Sequence, residues 1–289
     1  MKFFFGIIVC VLEIVHWRSI EATEKLEWPY VKPRYKKNTV QSPIDVPTAL
    51  AKYLVLEPIE FHNFMSTDNE PVIVENTGYY LEVKLDPETK SKNKPWVTGG
   101  PLFKDKYLFQ QLHFHWGRHN ECGSENYLDK NCFSMEVHIV FYKKEYKSYD
   151  NAIKYPDGLA VVGFFGQESL FENHDFDELI NIIPNIIPSE KETKGSFQNE
   201  FKFLKGLFQQ KMYYAFPGSL TTPDYEQCVT WILYKHPFPI SSTQIHAFHQ
   251  LHAKEGGHLI NQNDRKIQKF MKRPLIQPFI NGRPKMIND

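Results

Sequence analysis

The segment Gln111-Leu112-His113-Phe114-His115-Trp116 and, beyond a polar loop, the segment Glu136-Val137-His138-Ile139-Val140 decide how this chain is read. Both suit an extended strand, whose successive side chains point to opposite faces. In the first, Gln111, His113 and His115 share one face, and Leu112, Phe114 and Trp116 share the other. In the second, Glu136, His138 and Val140 fall on one face of an apolar strand. A lone His-x-His pair carries little weight, because 12 histidines in 289 positions give roughly 0.5 such pairs by chance. The second strand changes the balance: a hairpin brings its histidine to the first two, and the pattern predicts three imidazoles on one face of a β-sheet.

Strand-like runs extend outward from these segments. PVIVENTGYYLEVKL, KYLFQQLHFHW, SMEVHIVFY, LAVVGFF and CVTWILY are rich in Val, Ile, Tyr and Phe and are separated by Pro, Gly and Asn clusters. Helical patterns are fewer. One covers the region near Phe176 to Ile183, one lies near Ser196 to Leu207, and one opens at Ser242 or Thr243, where hydroxyl side chains suit an N-cap. No repeat, low-complexity tract or long polar linker marks a boundary between about Glu24 and Asp289, which predicts a single domain over residues 23–289. The expected fold class is mainly β with peripheral helices.

Three neutral imidazoles suit a zinc ion held tetrahedrally with its fourth position open to water, whereas closed structural sites usually carry cysteines. Ligating histidines also need a partner on the second ring nitrogen, which fixes tautomer and orientation. Gln111 and Glu136 each precede a candidate ligand by two residues on its own face, and both are placed for that task. An unpaired carboxylate in so apolar a run as Glu136 occupies would be costly.

Composition narrows the remaining classes. Lys plus Arg and Asp plus Glu both total 34, so the formal net charge is zero and no basic excess exists to pair with nucleic acid or anionic lipid. The N-terminus has Lys2, an apolar stretch from Phe3 to Val15 broken by Glu13, and a polar segment containing Ala22, which reads as a secretory signal over residues 1–22. That stretch is short of the roughly 20 apolar residues of a spanning helix, and the RPKMIND end has no hydrophobic tail. A secreted, monomeric protein without a membrane anchor is expected. Cys10 falls inside the signal. Cys122 and Cys132 straddle a loop rich in Gly, Asn and Asp, as a bridge across a hairpin would, while Cys228 in CVTWIL reads as a buried free thiol. No Asn-x-Ser/Thr sequence is present, so N-glycosylation is not expected.

Taken in order, the motifs spell a wider pattern: QSPID at Gln41 to Asp45, QLHFHWG at Gln111 to Gly117, GSE at Gly123 to Glu125, EVHIV at Glu136 to Val140, PDGLAVVG at Pro156 to Gly163, FPGSLTTP at Phe216 to Pro223, CVTW at Cys228 to Trp231 and RPLIQP at Arg273 to Pro278. The pattern resembles the alpha carbonic anhydrases, and the step from His115 to His138 matches as well. The resemblance implies a large, twisted, mostly antiparallel central sheet with short peripheral helices. It implies Zn2+ on His113, His115 and His138, and reversible hydration of CO2 to bicarbonate and a proton by zinc-bound hydroxide. Carbonic anhydrase is itself the type case in which zinc lowers the pKa of bound water to about 7. Thr221 matches the threonine that accepts the hydroxide's hydrogen bond, and Glu125 the glutamate that accepts the threonine's own proton. Val140, Val161, Leu220 and Trp231 match the apolar wall for CO2, with Thr222 among the substrate-binding residues. Sulfonamide-type inhibitors and side esterase activity are implied too.

The sequence also departs from the family. Fast members carry a proton-shuttling histidine after the Asn-Gly or Thr-Gly turn, but here Asn76-Thr77-Gly78 is followed by Tyr79. Tyrosine ordinarily titrates near about 10 and histidine near about 6.5, which predicts an enzyme slowed at proton transfer and partly rescued by small buffers. Asn126 replaces a histidine common after GSE, Phe216 replaces a tyrosine common before PGS, and Glu82 is expected on the cavity's polar side. The segment between Trp28-Pro29-Tyr30 and Gln41 is shorter than the family's usual N-terminal lobe, which leaves the role of Tyr30 open. A second group, His246, His249 and His252 in IHAFHQLH, has a three-residue period on a surface helix; such imidazoles fan around the axis, so they read as structural. Two other functions compete. A secreted carbonic anhydrase-like binding or matrix protein fits Tyr79 but not the intact ligand set, and a general zinc hydrolase lacks an HExxH-type base.

Overall fold

The computed structural model describes residues 39–64, 70–88 and 94–279. The expected signal segment, Cys10 and Tyr30 lie outside the described residues. Ten strands make the main path of a 13-stranded sheet: β1 (Lys52–Val55), β2 (Pro71–Asn76), β3 (Leu81–Leu85), β4 (Tyr107–Trp116), β5 (Met135–Lys143), β6 (Leu159–Ser169), β7 (Lys191–Ser196), β8 (Tyr213–Gly218), β9 (Val229–Tyr234) and β10 (Ile276–Phe279). Their spatial order is β7-β2-β3-β4-β5-β6-β9-β8-β10-β1. Most neighbours run antiparallel, as expected, while β6 with β9 and β10 with β1 are parallel pairs.

The period-2 alternation of the central strands divides the interior into two. Val137, Ile139 and Phe141 of β5, Ala160, Val162 and Phe164 of β6, and Ile232 and Tyr234 of β9 pack into one large cluster with the loops and helices behind the sheet. Val140 and Tyr142, Leu159, Val161 and Phe165, and Val229, Trp231 and Leu233 of the same strands form a second cluster on the opposite face. Every residue of β5 and β9 is buried, so these strands are covered on both sides. A β-bulge between Phe109 and Gln111 shifts the register of β4 against β5. Its effect is to put Phe109 in the same cluster as Leu112 and Phe114, although an odd number of steps separates them. Gln111, His113 and His115 are thereby left on the face of the second cluster.

The helices are short. Asp177–Ile182 matches its expected place, but the pattern near Ser196 to Leu207 breaks into two single turns, Phe197–Glu200 and Leu204–Leu207. Phe197, Phe201, Phe203 and Leu204 are all buried there, more apolar surface than one stripe of a continuous helix hides. The third helix, Ser242–Phe248, is capped one residue earlier than the sequence suggests: Ser241 Oγ accepts the Gln244 N–H at 3.2 Å, and Gln244 Oε1 accepts the Ser241 N–H at 3.1 Å. Cys122 and Cys132 form a disulfide with Cα atoms 5.3 Å apart, closing the connection between β4 and β5, and Cys228 is a buried free thiol.

Candidate metal centre

In the β4/β5 ladder His113 lies directly opposite His138, and His115 opposite Glu136. Directly opposed residues of an antiparallel pair point to the same face, so the strand register alone collects the three imidazoles. Their candidate ligand nitrogens lie within 4.8 Å of one another, and all three side chains are buried. Nε2 of His113 and Nδ1 of His138 are 3.3 Å apart.

Each ring is held by its other nitrogen. His113 Nδ1 donates to Gln111 Oε1 at 2.8 Å, and His138 Nε2 donates to Glu136 Oε1 at 2.8 Å, the two partners read from the sequence. The third partner is the backbone carbonyl of Asn263, which accepts from His115 Nδ1 at 3.1 Å. Glu136 is fully buried and saturated: Oε2 accepts the Asn126 backbone N–H at 2.7 Å, and Oε1 accepts from Asn126 Nδ2 at 2.8 Å. Asn126, a departure from the family pattern, thus braces the carboxylate that orients His138.

Whether a cation fits is decided by the atoms left over. His115 Nε2 and Glu125 Oε2 are both buried without a hydrogen-bond partner and face each other at 3.4 Å. Burial holds the pKa values of His113 and His115 well below the ordinary imidazole value, with the neighbouring histidines adding to the effect. Neutral rings with lone pairs aimed at one point are the state a zinc ion requires. The three-histidine site therefore fits a metal ion.

Glu125 is the centre's other buried carboxyl group. Burial pushes its carboxyl well above the usual carboxylate range, while hydrogen bonds from the Thr221 side chain and the Arg265 backbone act in the opposite direction. The Arg265 N–H donates to Glu125 Oε1 at 2.9 Å. The sequence-predicted Val140, Val161, Leu220, Thr221, Thr222 and Trp231 line one cavity with His113 and His138. The cavity volume is about 60 Å³.

The mouth differs from the sequence reading. Tyr79 is 57% exposed and does not line the cavity, whereas the next residue, Tyr80, does, with its ring centroid 4.8 Å from that of His113. Burial, with Glu82 and Glu75 adding to it, pushes the Tyr80 hydroxyl up to about 12. Glu82 is not among the lining residues; its Oε1 lies 3.4 Å from Lys84 Nζ. Tyr149, from the single helical turn Tyr149–Ala152, completes the wall.

Sequence reasoning missed Tyr80, Tyr149, Asn263 and Arg265. Toward His115 and Glu125 the last two act through backbone atoms, which no side-chain pattern reports. Tyr80 and Tyr149 carry no motif, and only packing brings them to the cavity.

Comparison with known proteins agrees with this geometry. A sequence profile for the eukaryotic-type carbonic anhydrases matches residues 23–279. Carbonic anhydrase 7 of Mus musculus is 35% identical over 218 residues, 73% of this chain and 76% of that protein. Carbonic anhydrase 15 of Mus musculus is 30% identical over 212 residues, covering 72% of this chain and 64% of its own length. Mitochondrial carbonic anhydrase 5A of Homo sapiens is 32% identical over 211 residues, covering 71% and 66%.

Proposed function

The chain belongs to the eukaryotic-type carbonic anhydrase family, whose members are enzymes that hydrate CO2, and on that premise we propose a secreted, monomeric Zn2+ enzyme interconverting CO2 with bicarbonate and a proton. In this reading residues 1–22 are the signal and 23–289 the catalytic domain. No helix among the described residues is long and apolar enough to cross a membrane.

The observation that carries the reading is the convergence of three buried imidazoles, each already held by its second nitrogen. A Zn2+ ion on them would supply a Lewis acid able to ionise water near neutral pH. The chain's own residues do the rest. Gln111, Glu136 and the Asn263 carbonyl fix ring tautomer and direction. Thr221, by donating its hydroxyl proton to Glu125, leaves its oxygen as an acceptor, which orients a nucleophilic oxygen toward CO2. Val140, Val161, Leu220 and Trp231, with Thr222 beside them, give the apolar substrate a wall. With Tyr79 where a shuttling histidine would stand, export of the proton is expected to depend on small buffers.

The test is the CO2 hydration rate of the zinc-loaded protein from roughly pH 6 to 9, at low and high imidazole-type buffer. A rate that rises with both pH and buffer is expected. No rate above background in fully metallated protein would overturn the reading and leave a carbonic anhydrase-like binding role.

A further inference from the structure

Glu125 is buried at the metal centre, yet the chain leading to it passes through an exposed disulfide partner, Cys122. The connection from β4 to β5 doubles back on itself there, and the bond to Cys132 spans the fold. Beside the bond, the Phe133 carbonyl accepts the N–H groups of Gly123 at 2.7 Å and of Ser124 at 2.9 Å. Ser124 Oγ accepts the Phe133 N–H at 3.0 Å and donates to the Asn126 carbonyl at 2.9 Å. The backbones touch without slack: a Cβ on Gly123 would collide with the Gly117 nitrogen and the Ser134 carbonyl oxygen. A displacement at Cys122 or Cys132 is thereby passed along the chain toward Glu125.

The two flanks of Glu125 are held differently. On the C-terminal side, Asn126 Oδ1 accepts the Ile44 N–H at 3.0 Å, the Ile44 carbonyl accepts the Tyr127 N–H at 3.1 Å, and Asn126 also donates to Glu136. On the N-terminal side, Arg118, His119, Glu121 and Cys122 are exposed, so the bonds to Phe133 follow a stretch of chain open to water. Backbone hydrogen bonds beside such a stretch open locally at small cost, and a covalent link across them restricts that opening. What the flank positions has little tolerance. The Glu125 carboxyl must meet both the Thr221 hydroxyl and the Arg265 N–H, the latter at 2.9 Å, and a misplacement of about 1 Å in an aligned catalytic group costs on the order of a hundredfold in rate.

Resting on the reading that Thr221 and Glu125 aim the nucleophile, we propose that the Cys122–Cys132 bridge is a positioning element for Glu125, so that opening it lowers CO2 hydration while zinc stays bound. Zinc is spared because the histidines stand on the β4/β5 ladder, and the brace of His138 runs through Asn126 and its bonds to Ile44, away from the bridge. Turnover therefore responds to thiol redox state. With a phosphine as reductant the Sγ–Sγ bond breaks, phosphorus takes oxygen from water to become the phosphine oxide, and the two sulfurs gain two electrons and two protons as thiols. Cys122 is exposed to such attack. Among the described residues the other cysteine, Cys228, is already a buried thiol.

The experiment is a double-mutant cycle on zinc-loaded protein, reading kcat for CO2 hydration and the zinc dissociation constant. Its corners are wild type, Cys122→Ser with Cys132→Ser, Thr221→Val, and all three substitutions together. Opening the bridge is expected to lower kcat by on the order of tenfold in the wild-type background and by less than about twofold beside Thr221→Val, where the hydroxyl that Glu125 serves is gone. The zinc constant is expected to stay within about threefold. An equal loss of kcat in both backgrounds makes the bridge a general stabiliser and overturns the proposal, as does no loss in wild type or a parallel loss of zinc. If the serine variant lacks the wild-type melting transition, the same comparison is made on folded wild type and Thr221→Val after reduction by a phosphine, with reoxidation expected to restore the wild-type rate. Full turnover in Thr221→Val with the bridge intact sinks the underlying reading of Thr221 and Glu125, whereas a slow Thr221→Val with additive losses sinks the bridge proposal alone.

Discussion

His113, His115 and His138 lie on two adjacent antiparallel strands, whereas His246, His249 and His252 lie in and after one short helix. Both groups have metal-like spacing in the sequence. In the first, two histidines stand directly opposed across β4 and β5 and the third is two residues along, so all three rings share a face. In the second, His246 is in Ser242–Phe248, His249 is its C-cap, and His252 lies beyond it, in an isolated bridge to Leu259. Two of the rings there are engaged by the protein: His249 Nε2 donates to the Gly117 carbonyl at 2.9 Å, and His246 Nε2 accepts from Gln250 Nε2 at 2.9 Å. The first group leaves His115 Nε2 buried and unpartnered. Convergence of unengaged lone pairs, and not the count of histidines, separates a ligand set from a helix end.

The sharpest way to break this contrast is to delete one histidine from each group and titrate zinc against a chromophoric chelator. His113→Ala is expected to weaken zinc binding by on the order of a thousandfold or more, because a three-ligand site loses a third of its donors. His246→Ala should leave the constant within about twofold, since its ring has no part in the convergent set. Comparable losses in both variants would erase the distinction.

A smaller effect separates holding the metal from using it. Thr221→Val keeps the shape but loses the hydroxyl that bonds Glu125. CO2 hydration should fall by about a hundredfold, with zinc affinity changed by no more than about threefold. A parallel loss of zinc would make Thr221 part of the metal site and not of its aim.

The smallest effect concerns the second group. Burial is the main cause holding the His249 pKa below its ordinary value, opposed by the hydrogen bond to Gly117. The folded state then binds fewer protons than the unfolded one, so this contribution is present above the ordinary imidazole pKa of about 6.5 and is lost as pH falls through the lower folded value. His249→Gln, whose amide can still donate to Gly117, should flatten the dependence of the melting temperature on pH between about 7 and 5, by roughly one or two degrees. An unchanged slope would mean that His249 does not titrate with folding.

How far the site was readable follows from the kind of atom involved. The zinc-type triad and its side-chain braces Gln111 and Glu136 were legible because a strand has a fixed period, and the wall residues were legible through the family motifs. The Asn263 carbonyl and the Arg265 N–H were not, since a backbone group has the same chemistry in every residue and comes from a segment more than a hundred positions away. The family motif singles out Tyr79 at the mouth, yet it is Tyr80 that faces His113. Which of two consecutive tyrosines points inward depends on the turn's backbone, and that is fixed by Asn76, Gly78 and Asn263 together.

By itself, then, the sequence determined a β-rich chain with three histidines of one face on two strands, a disulfide across their connection and a buried thiol at Cys228. These follow from local periodicity, residue chemistry and the family motifs. Only the tertiary structure decided the bulge before Gln111, the Ser241 cap, the turning of Glu82 toward Lys84, and the tyrosine that lines the cavity. Each of those is a contest between groups distant in sequence for the same space or hydrogen bond, and such contests are settled by packing.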